Sequence, residues 1–429
     1  MARYIEFSTD FLDDVRERVN LVELIGKTVK LKRSGANRYV GCCPFHDEKT
    51  PSFNISTEKN LYKCYGCPAR GDAIQWMMSH HNLTFHDAVI QLSTLAGMEL
   101  PATIGSREEN IERRQHLASL YQALKTAERI YIRGLDKSAA ARRYLEQNRG
   151  LSSQTIQEFG LGVVATGVVS YMTSTPHVAL VESGLACERD DKTVFDRFRH
   201  RIMIPIRNEV GNLIGFAGRS LVEKPDRTSK YINSPETDLF HKCRELFALH
   251  RAKPAIRAAR LAVIVEGYFD VMGLHQAGEN KAVAPMGTAF TSQQLDRLLP
   301  HIDTLVFAFD GDKAGRQAGL QAALLTLETL PDSKSAKFVF LPEGEDPDSF
   351  IRANGLDAWN TLIKEAIPLS SFMASYITKN LDRSVPETQV EAATKAKEIL
   401  ARIKQAPTFK SALQSHFEDL IGFKLQVGN

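Results

Sequence analysis

Three stretches decide the fold: LAVIVEGYFDV at residues 261–271, LVFAFDGDKAGRQA at 305–318 and FVFLPEGEDPDSF at 338–350. Each opens on a run that is apolar at nearly every position (261–265, 305–309, 338–341). Each run stops at acids: Glu266; Asp310 and Asp312; Asp346 and Asp348. Such runs, alternating with helical stretches, predict parallel strands buried on both faces. Ligands of these sheets bind beyond the carboxyl ends of the strands. Acids gathered there repel one another unless cations lie between them, and carboxylates with open water positions suit Mg²⁺ and substrate phosphates. The region reads as a metal-dependent phosphoryl-transfer site. The alternative, a solvated acidic loop, has to occur three times in one sheet.

Composition bounds what surrounds this region. A chain of 429 residues has room for more than one domain, and 43% hydrophobic with 24% charged residues excludes a disordered or fibrous protein. The net charge of +3 hides a local excess, because residues 196–260 carry 14 Lys/Arg against 7 Asp/Glu. This is how a basic track leading to a metal site looks, although a solvated helix face also collects cations. No apolar run approaches the roughly 18–20 residues of a membrane span. The first 20 residues carry acids and lack an apolar signal core, so a cytoplasmic protein without membrane contact is expected. Six cysteines then point to metal or free thiols, not structural disulfides.

The amino-terminal part holds a second chemistry. Cys43-x2-His46 and Cys64-x2-Cys67 are separated by 17 residues. Paired knuckles of this spacing let four side chains close a tetrahedral shell on one structural Zn²⁺. Cys42 is a competing ligand or a bystander, and the turn at Pro44 favours Cys43. The runs SFNIS and LYKC fit a β-ribbon around the metal. Phe45, Lys49, Phe53, Tyr62, Lys63, Tyr65 and Arg70 interleave rings with cations, as a surface that stacks bases does, and some of these rings must also fill the small core.

The rest supplies framework. Phe11, Leu12, Val15, Val19, Val22 and Ile25 form a helical stripe with Ser8 or Thr9 as cap, and VKLKRSG alternates like a strand. Ile74, Met77, Met78, Val89 and Leu92 predict one or two helices. PATIGSREEN, at 101–110, reads as a linker that lets the zinc module move. A long amphipathic helix is expected from Ile111 to Arg133. Arg149, beside Gly150, is a phosphate contact or a charge partner for a helix end. HRIMIPIRNEVGNLIGFAGRSL predicts a hairpin turning at 208–211, and residues 358–423 predict a helical bundle broken at Pro368, Pro386 and Pro407.

These motifs together resemble one family. CPFHDEKTPSF with YKCYGC resembles the Cys-His-Cys-Cys zinc module of bacterial DnaG-type DNA primases. VEGYFDV, FDGDKAGRQA and GEDPDSF resemble the acidic elements of their TOPRIM core, and DRFRHRIMIPI, IGFAGR, KYINSPET and LFHK their basic subdomain. Ala217, Cys243 and Pro68 depart from the glycines usual there, and none removes a ligand. The resemblance implies zinc on Cys43, His46, Cys64 and Cys67. It implies catalytic, metal-binding acids at Glu266, Asp310 and Asp312, joined by Asp270, Asp346 and Asp348 around two or more Mg²⁺, with Mn²⁺ able to substitute. Arg197, Arg199, Arg201, Arg219, Lys230 and Lys242 would hold the single-stranded DNA template and the incoming ribonucleoside triphosphate. The zinc module would help choose the start site and the body would make a short RNA primer. A second primase molecule acting in trans is compatible with the linker. The replicative helicase is the family's partner, and its docking domain is expected to be absent from residues 1–429.

The expected fold class is multi-domain α+β and α/β. A zinc-ribbon module (1–100) and linker (101–110) precede a basic α+β subdomain (111–258), a TOPRIM-like parallel-sheet core (259–357) and a helical bundle (358–429). Two other readings compete: a TOPRIM nuclease or topoisomerase, and a non-catalytic zinc-containing single-strand binder. The first needs a placed nucleophilic tyrosine if it is a topoisomerase. The second leaves three acidic elements unexplained.

Overall fold

A computed structural model describes residues 7, 9–48, 50–81, 83–98, 100, 107–221, 229–287 and 289–425. Its contacts divide it into two units, Met1–Arg114 and Gln115–Asn429. In the first, the expected amino-terminal helix is two, Thr9–Arg18 and Leu21–Gly26. Asn20 breaks it: its side chain accepts hydrogen bonds from the amides of Val22 and Glu23 at 3.1 and 3.3 Å, which favours a cap over a helix interior. Of the two caps expected, Ser8 lies outside the described residues and Thr9 is the first residue of the helix. Strands β1 (Lys32–Gly35), β2 (Arg38–Gly41), β3 (Phe53–Ser56), β4 (Leu61–Cys64) and β5 (Arg70–Gly71) form an antiparallel sheet in sequence order. The period of two buries Phe53, Ile55, Tyr62 and Cys64 on one face. Helices Ala73–His80 and Phe85–Leu95, capped by Asp72 and Thr84, close that core with Trp76, Val89 and Leu92.

Helix Arg107–Asp136 begins inside the expected linker and continues into the second unit. Residues 107–110 are thus helical, and 101–106 lie outside the described residues. The helix packs Leu124 and Tyr131 against the strands that follow. These are β6 (Gly162–Val164), β7 (Ala186–Glu188), β8 (Val194–Asp196), β9 (Arg201–Arg207), β10 (Leu213–Ser220) and β11 (Tyr231–Asn233). Four of them form an antiparallel sheet in the order β11-β10-β9-β6, and β7 pairs with β8. The β9–β10 turn falls where expected: Asn208 Oδ1 accepts from the amides of Val210 and Asn212, and Gly211 takes φ 89°.

Strands β12 (Leu261–Ile264), β13 (Ala282–Val283), β14 (Thr304–Phe309), β15 (Ser335–Phe340) and β16 (Ile367–Pro368) run in the order β13-β12-β14-β15-β16, all parallel except β16. Alternate residues enter different cores. Ile264, Leu305, Phe307 and Phe338 pack with Met373, Leu400 and Phe417. Val263, Val306, Ala308 and Val339 pack with Met272, Ile351 and Trp359. Helices cover both faces, which is why the runs are apolar throughout. Each fully buried ring here contributes about 1.5–3 kcal/mol over its exposed state.

The carboxy-terminal helices Leu369–Ile377, Pro386–Arg402 and Pro407–Ile421 share the first of these cores. They pack on one another and on one face of the sheet, as the expected bundle closing the core. Pro386 and Pro407 open their helices, where a missing amide costs nothing. The two sheets are tied together by Phe247 N–H donating to Ala284 O (2.8 Å) and by Asn233 Nδ2 donating to Met286 O (2.7 Å). Among the described residues no helix is long and apolar enough to cross a membrane.

Candidate metal centres and active site

In the first unit β3 and β4 bring two knuckles together. One ligand atom from each of Cys43, His46, Cys64 and Cys67 lies within 4.8 Å of the others. Cys43 Sγ is 3.7 Å from Cys67 Sγ, and His46 Nδ1 is 4.0 Å from Cys64 Sγ. Cys42 is exposed, outside the group. Burial, with the neighbouring thiols, pushes Cys43 up to about 12. A divalent cation between the sulfurs reverses that balance, so three thiols and one imidazole suit Zn²⁺. Burial also opposes the Cys64 thiolate, but donors at Ser52 and Gly66 outweigh it and hold its pKa low.

Glu48, absent from the expected set, completes the arrangement. Its Oε2 lies 3.2 Å from His46 Nε2, and its Oε1 accepts from the amides of Cys43 (2.6 Å) and Ser52 (3.1 Å). That leaves Nδ1 as the ligand atom and fixes the ring. Glu48→Gln is expected to weaken zinc retention about 10–100-fold, measured by competition with a chromogenic chelator. Unchanged retention would remove this role. Of the interleaved rings, Phe53 and Tyr62 are buried with Trp76. Tyr65 is 64% exposed and Lys63 Nζ lies 5.0 Å from its ring centroid. Lys49 is outside the described residues.

In the second unit the acids meet at the carboxyl ends of the parallel strands. Glu266 follows β12 and Asp310 follows β14, and Glu266 Oε1 accepts from the Asp310 amide at 3.3 Å. Asp312 caps helix Lys313–Thr329 and Asp346 caps helix Pro347–Lys364, each with one oxygen on a backbone amide. Asp270 Oδ2 accepts from Gly267 N at 2.8 Å. Strand β14 ends at Phe309, so the two-residue spacing of Asp310 and Asp312 does not place them side by side on a strand. Burial, then repulsion by Asp346, Asp310 and Asp348, pushes Asp270 up to about 8. Burial, then Glu266, Asp346 and Asp312, pushes Asp310 up to about 7. Glu266 and Asp348 are raised chiefly by burial.

Asp310 Oδ1 is buried and finds no donor among the described residues. An orphaned carboxylate oxygen among like charges is where a hard, oxygen-seeking cation fits. A Cβ at Gly267 would lie 2.7 Å from Asp270 Oδ2, and one at Gly311 2.3 Å from Leu341 O. These glycines make room for the chain's own carboxylate and backbone, not directly for a ligand. Gly273, unremarked in the sequence, does the same for Asp348, whose Oδ1 would be 2.2 Å from its Cβ. No local motif marks a helical glycine facing an acid 75 residues on.

The expected basic set divides. Arg199 and Lys230 are exposed; Arg197, Arg219 and Lys242 are half-buried. Arg201 is 4% exposed, and its guanidinium donates to the carbonyls of Gly218 (3.0 Å), Ser229 (3.0 Å) and Lys230 (3.3 Å). Arg201 therefore fastens the sheet and does not reach a strand in solvent, contrary to expectation. Arg149 is not a simple helix-end charge: its Nε donates to Tyr144 Oη at 2.8 Å, with its guanidinium 4.6 Å from the Phe269 ring centroid.

Residues 7–108 match the CHC2 zinc finger family, 130–253 the DNA primase catalytic core N-terminal domain, and 263–351 the Toprim-like family. The DNA primase of Escherichia coli K12 is 38% identical over 424 residues, spanning 97% of this chain and 71% of its own. The chain belongs to the DNA primases. The Neisseria meningitidis serogroup B member is likewise 38% identical, over 96% of this chain and 70% of its own. The Aquifex aeolicus primase structure, with zinc-binding and RNA polymerase domains, aligns over 98% of both chains at a TM-score of 0.63 and 30% identity. A Pseudomonas aeruginosa primase domain aligns over 72% of this chain and 98% of its own, at 0.67 and 35%. The function is primer synthesis, carried by a zinc ribbon and a divalent-metal TOPRIM core. Neither the nuclease or topoisomerase reading nor the non-catalytic binder is favoured.

Proposed function

We propose that the acid cluster joins ribonucleotides on a single-stranded DNA template with Mg²⁺ as its cation, at least two ions being held by Glu266, Asp270, Asp310, Asp312, Asp346 and Asp348. The observation that carries this is the buried Asp310 oxygen, without a donor among the described residues, beside acids whose pKa values rise by burial and mutual repulsion. The reaction is attack of a ribose 3′-hydroxyl on the α-phosphate of a ribonucleoside triphosphate, with pyrophosphate leaving. Bound Mg²⁺ supplies charge neutralisation and a lowered hydroxyl pKa. The chain's own residues position: the caps at Asp312 and Asp346 fix two carboxylates, leaving one oxygen of each for metal. Arg197, Arg199, Arg219, Lys230 and Lys242 hold template and triphosphate. Support for the template comes from a similar DnaG catalytic domain, 34% identical over 71% of this chain, solved bound to ssDNA.

The zinc module (1–100) selects the start, and the basic subdomain (111–258), TOPRIM core (259–357) and helical layer (358–429) form the polymerase of a cytoplasmic replication enzyme. Helix Pro347–Lys364 crosses the last boundary, but its backbone breaks at Gly355 (φ 80°, ψ 176°). The test is incorporation of the four ribonucleotides on single-stranded template with Mg²⁺. Arg199→Ala and Lys230→Ala are expected to lower template affinity and reduce its salt dependence by about one unit of slope per lost phosphate contact. Arg201→Ala is expected instead to lower the melting temperature, since it strands three carbonyls. Absent incorporation by the unmodified protein defeats the proposal.

A further inference from the structure

Tyr144 opens a π-helical turn, Tyr144–Asn148, and Arg149 N–H closes it on Tyr144 O at 3.0 Å. In an α-helix residues five apart face different directions. The π turn brings residue 149 back over residue 144, and such turns concentrate at functional sites. Here it lets Arg149 Nε donate to the Tyr144 hydroxyl at 2.8 Å. The same ring receives a second cation from another element: Arg219, on β10, has its guanidinium carbon 4.4 Å from the ring centroid. Arg219 is also 5.8 Å from the Tyr231 ring centroid. Its Nε is buried and finds no acceptor among the described residues, while Nη1 donates to Ser220 O at 2.8 Å.

Two guanidiniums gathered on one tyrosine repel each other, and Asp348 of the acid cluster offsets part of that repulsion at Arg149. The Arg149 guanidinium stacks on Phe269, whose chain neighbour is Asp270 of the acid cluster. The pair is thus presented beside the metal-binding acids, with one donor unspent. Arginine forks on aromatic faces are ordered at little entropic cost and match phosphate oxygens.

We infer that Tyr144 is a positioning residue for primer synthesis: its ring and hydroxyl hold Arg219 and Arg149 together as a seat for phosphate oxygens next to the acids. This rests on the reading of those acids as the polymerase centre. The phosphate belongs either to the incoming triphosphate or to the template backbone. The ring and the hydroxyl separate by substitution. Tyr144→Phe keeps the Arg219 contact and releases Arg149; Tyr144→Leu releases both.

The test measures three quantities on the full chain: primer-synthesis kcat and KM for ribonucleotide, template Kd without nucleotide, and melting temperature. Tyr144→Leu is expected to raise KM about tenfold if the seat takes the triphosphate, or template Kd about tenfold if it takes the template. Tyr144→Phe is expected to fall between, with an unchanged melting temperature. Either rise supports the seat and names its source. Unchanged KM and Kd in both variants would overturn it, as would a loss of kcat alone. Should Tyr144→Leu not fold, the Tyr144→Phe result decides. Asp310→Ala in the same assays separates the two readings: retained synthesis there defeats the polymerase centre, whereas the binding constants of the Tyr144 variants are read without turnover.

Discussion

Replacing Asp310 by asparagine is expected to cut primer synthesis by at least about 10²–10³-fold in kcat, the scale of losing one preorganised electrostatic group. The same change is expected to raise the melting temperature of metal-free protein at pH 8. Both follow from one geometry. Asp310 lies behind β14, where burial, then Glu266, Asp346 and Asp312, raise its pKa, and one of its oxygens is buried without a donor among the described residues. Catalysis needs that oxygen for a cation; the metal-free fold bears it as a cost. The pH dependence has a definite sign. Asp270 and Asp310 rise from the ordinary 3.8 to about 8 and about 7. Between those limits the folded protein keeps protons that the unfolded chain has released. The cluster's contribution to stability is therefore full below about pH 4 and is lost as pH rises toward 8. Mg²⁺ should accordingly raise the melting temperature at pH 8 and do little at pH 5. A Mg²⁺ effect of equal size at both pH values, or full synthesis by Asp310→Asn, would sink the assignment.

How far the sequence carries depends on whether a residue's role is local. The parallel strands were legible because both faces are buried, which leaves an apolar residue at nearly every position from 261 to 265 and 305 to 309. The zinc ligands were legible because two short knuckles each supply two of them. The caps at Asp312 and Asp346 coincide with acids that the strand ends already singled out. What the sequence hid is long-range. Arg201 reads as one more cation in a basic track, and only the pairing of β9 with β10 shows its guanidinium turned onto Gly218 O. Glu48 is an ordinary surface acid until the knuckle folds it against His46. Tyr144 and Arg149 lie five apart, a spacing that no helical rule joins, and the π turn that joins them has no composition signature. Asn20 was the local signal that went unread: a cap residue inside an apolar stripe marks a break.

Stripping zinc, or replacing Cys64 by alanine, is expected to unfold most of the first unit while leaving the second folded. Cys43 and Cys64 are part of one core with Phe53, Tyr62 and Trp76, so the ligands do not hang from a finished scaffold. Without a cation burial keeps the Cys43 thiol neutral, and the metal bonds that would tie the two knuckles into this core are lost. Apparent zinc binding energies in small finger peptides reach about 10–16 kcal/mol, as large as the net stability of about 5–15 kcal/mol of a whole domain. Trp76 and Trp359 are the chain's two tryptophans and stand in different units, both fully buried. A Trp359→Phe background then reports the first unit alone: chelation should shift Trp76 emission toward that of a solvated indole. Limited proteolysis should cut within residues 1–114 and spare 115–429. With Mg²⁺ restored, the zinc-free protein should still extend an annealed primer but lose its choice of start. Unchanged initiation and start-site choice after verified zinc loss would defeat the role given to this module. Loss of extension as well would mean that the polymerase body needs the zinc module to work, a dependence that two separately packed units argue against.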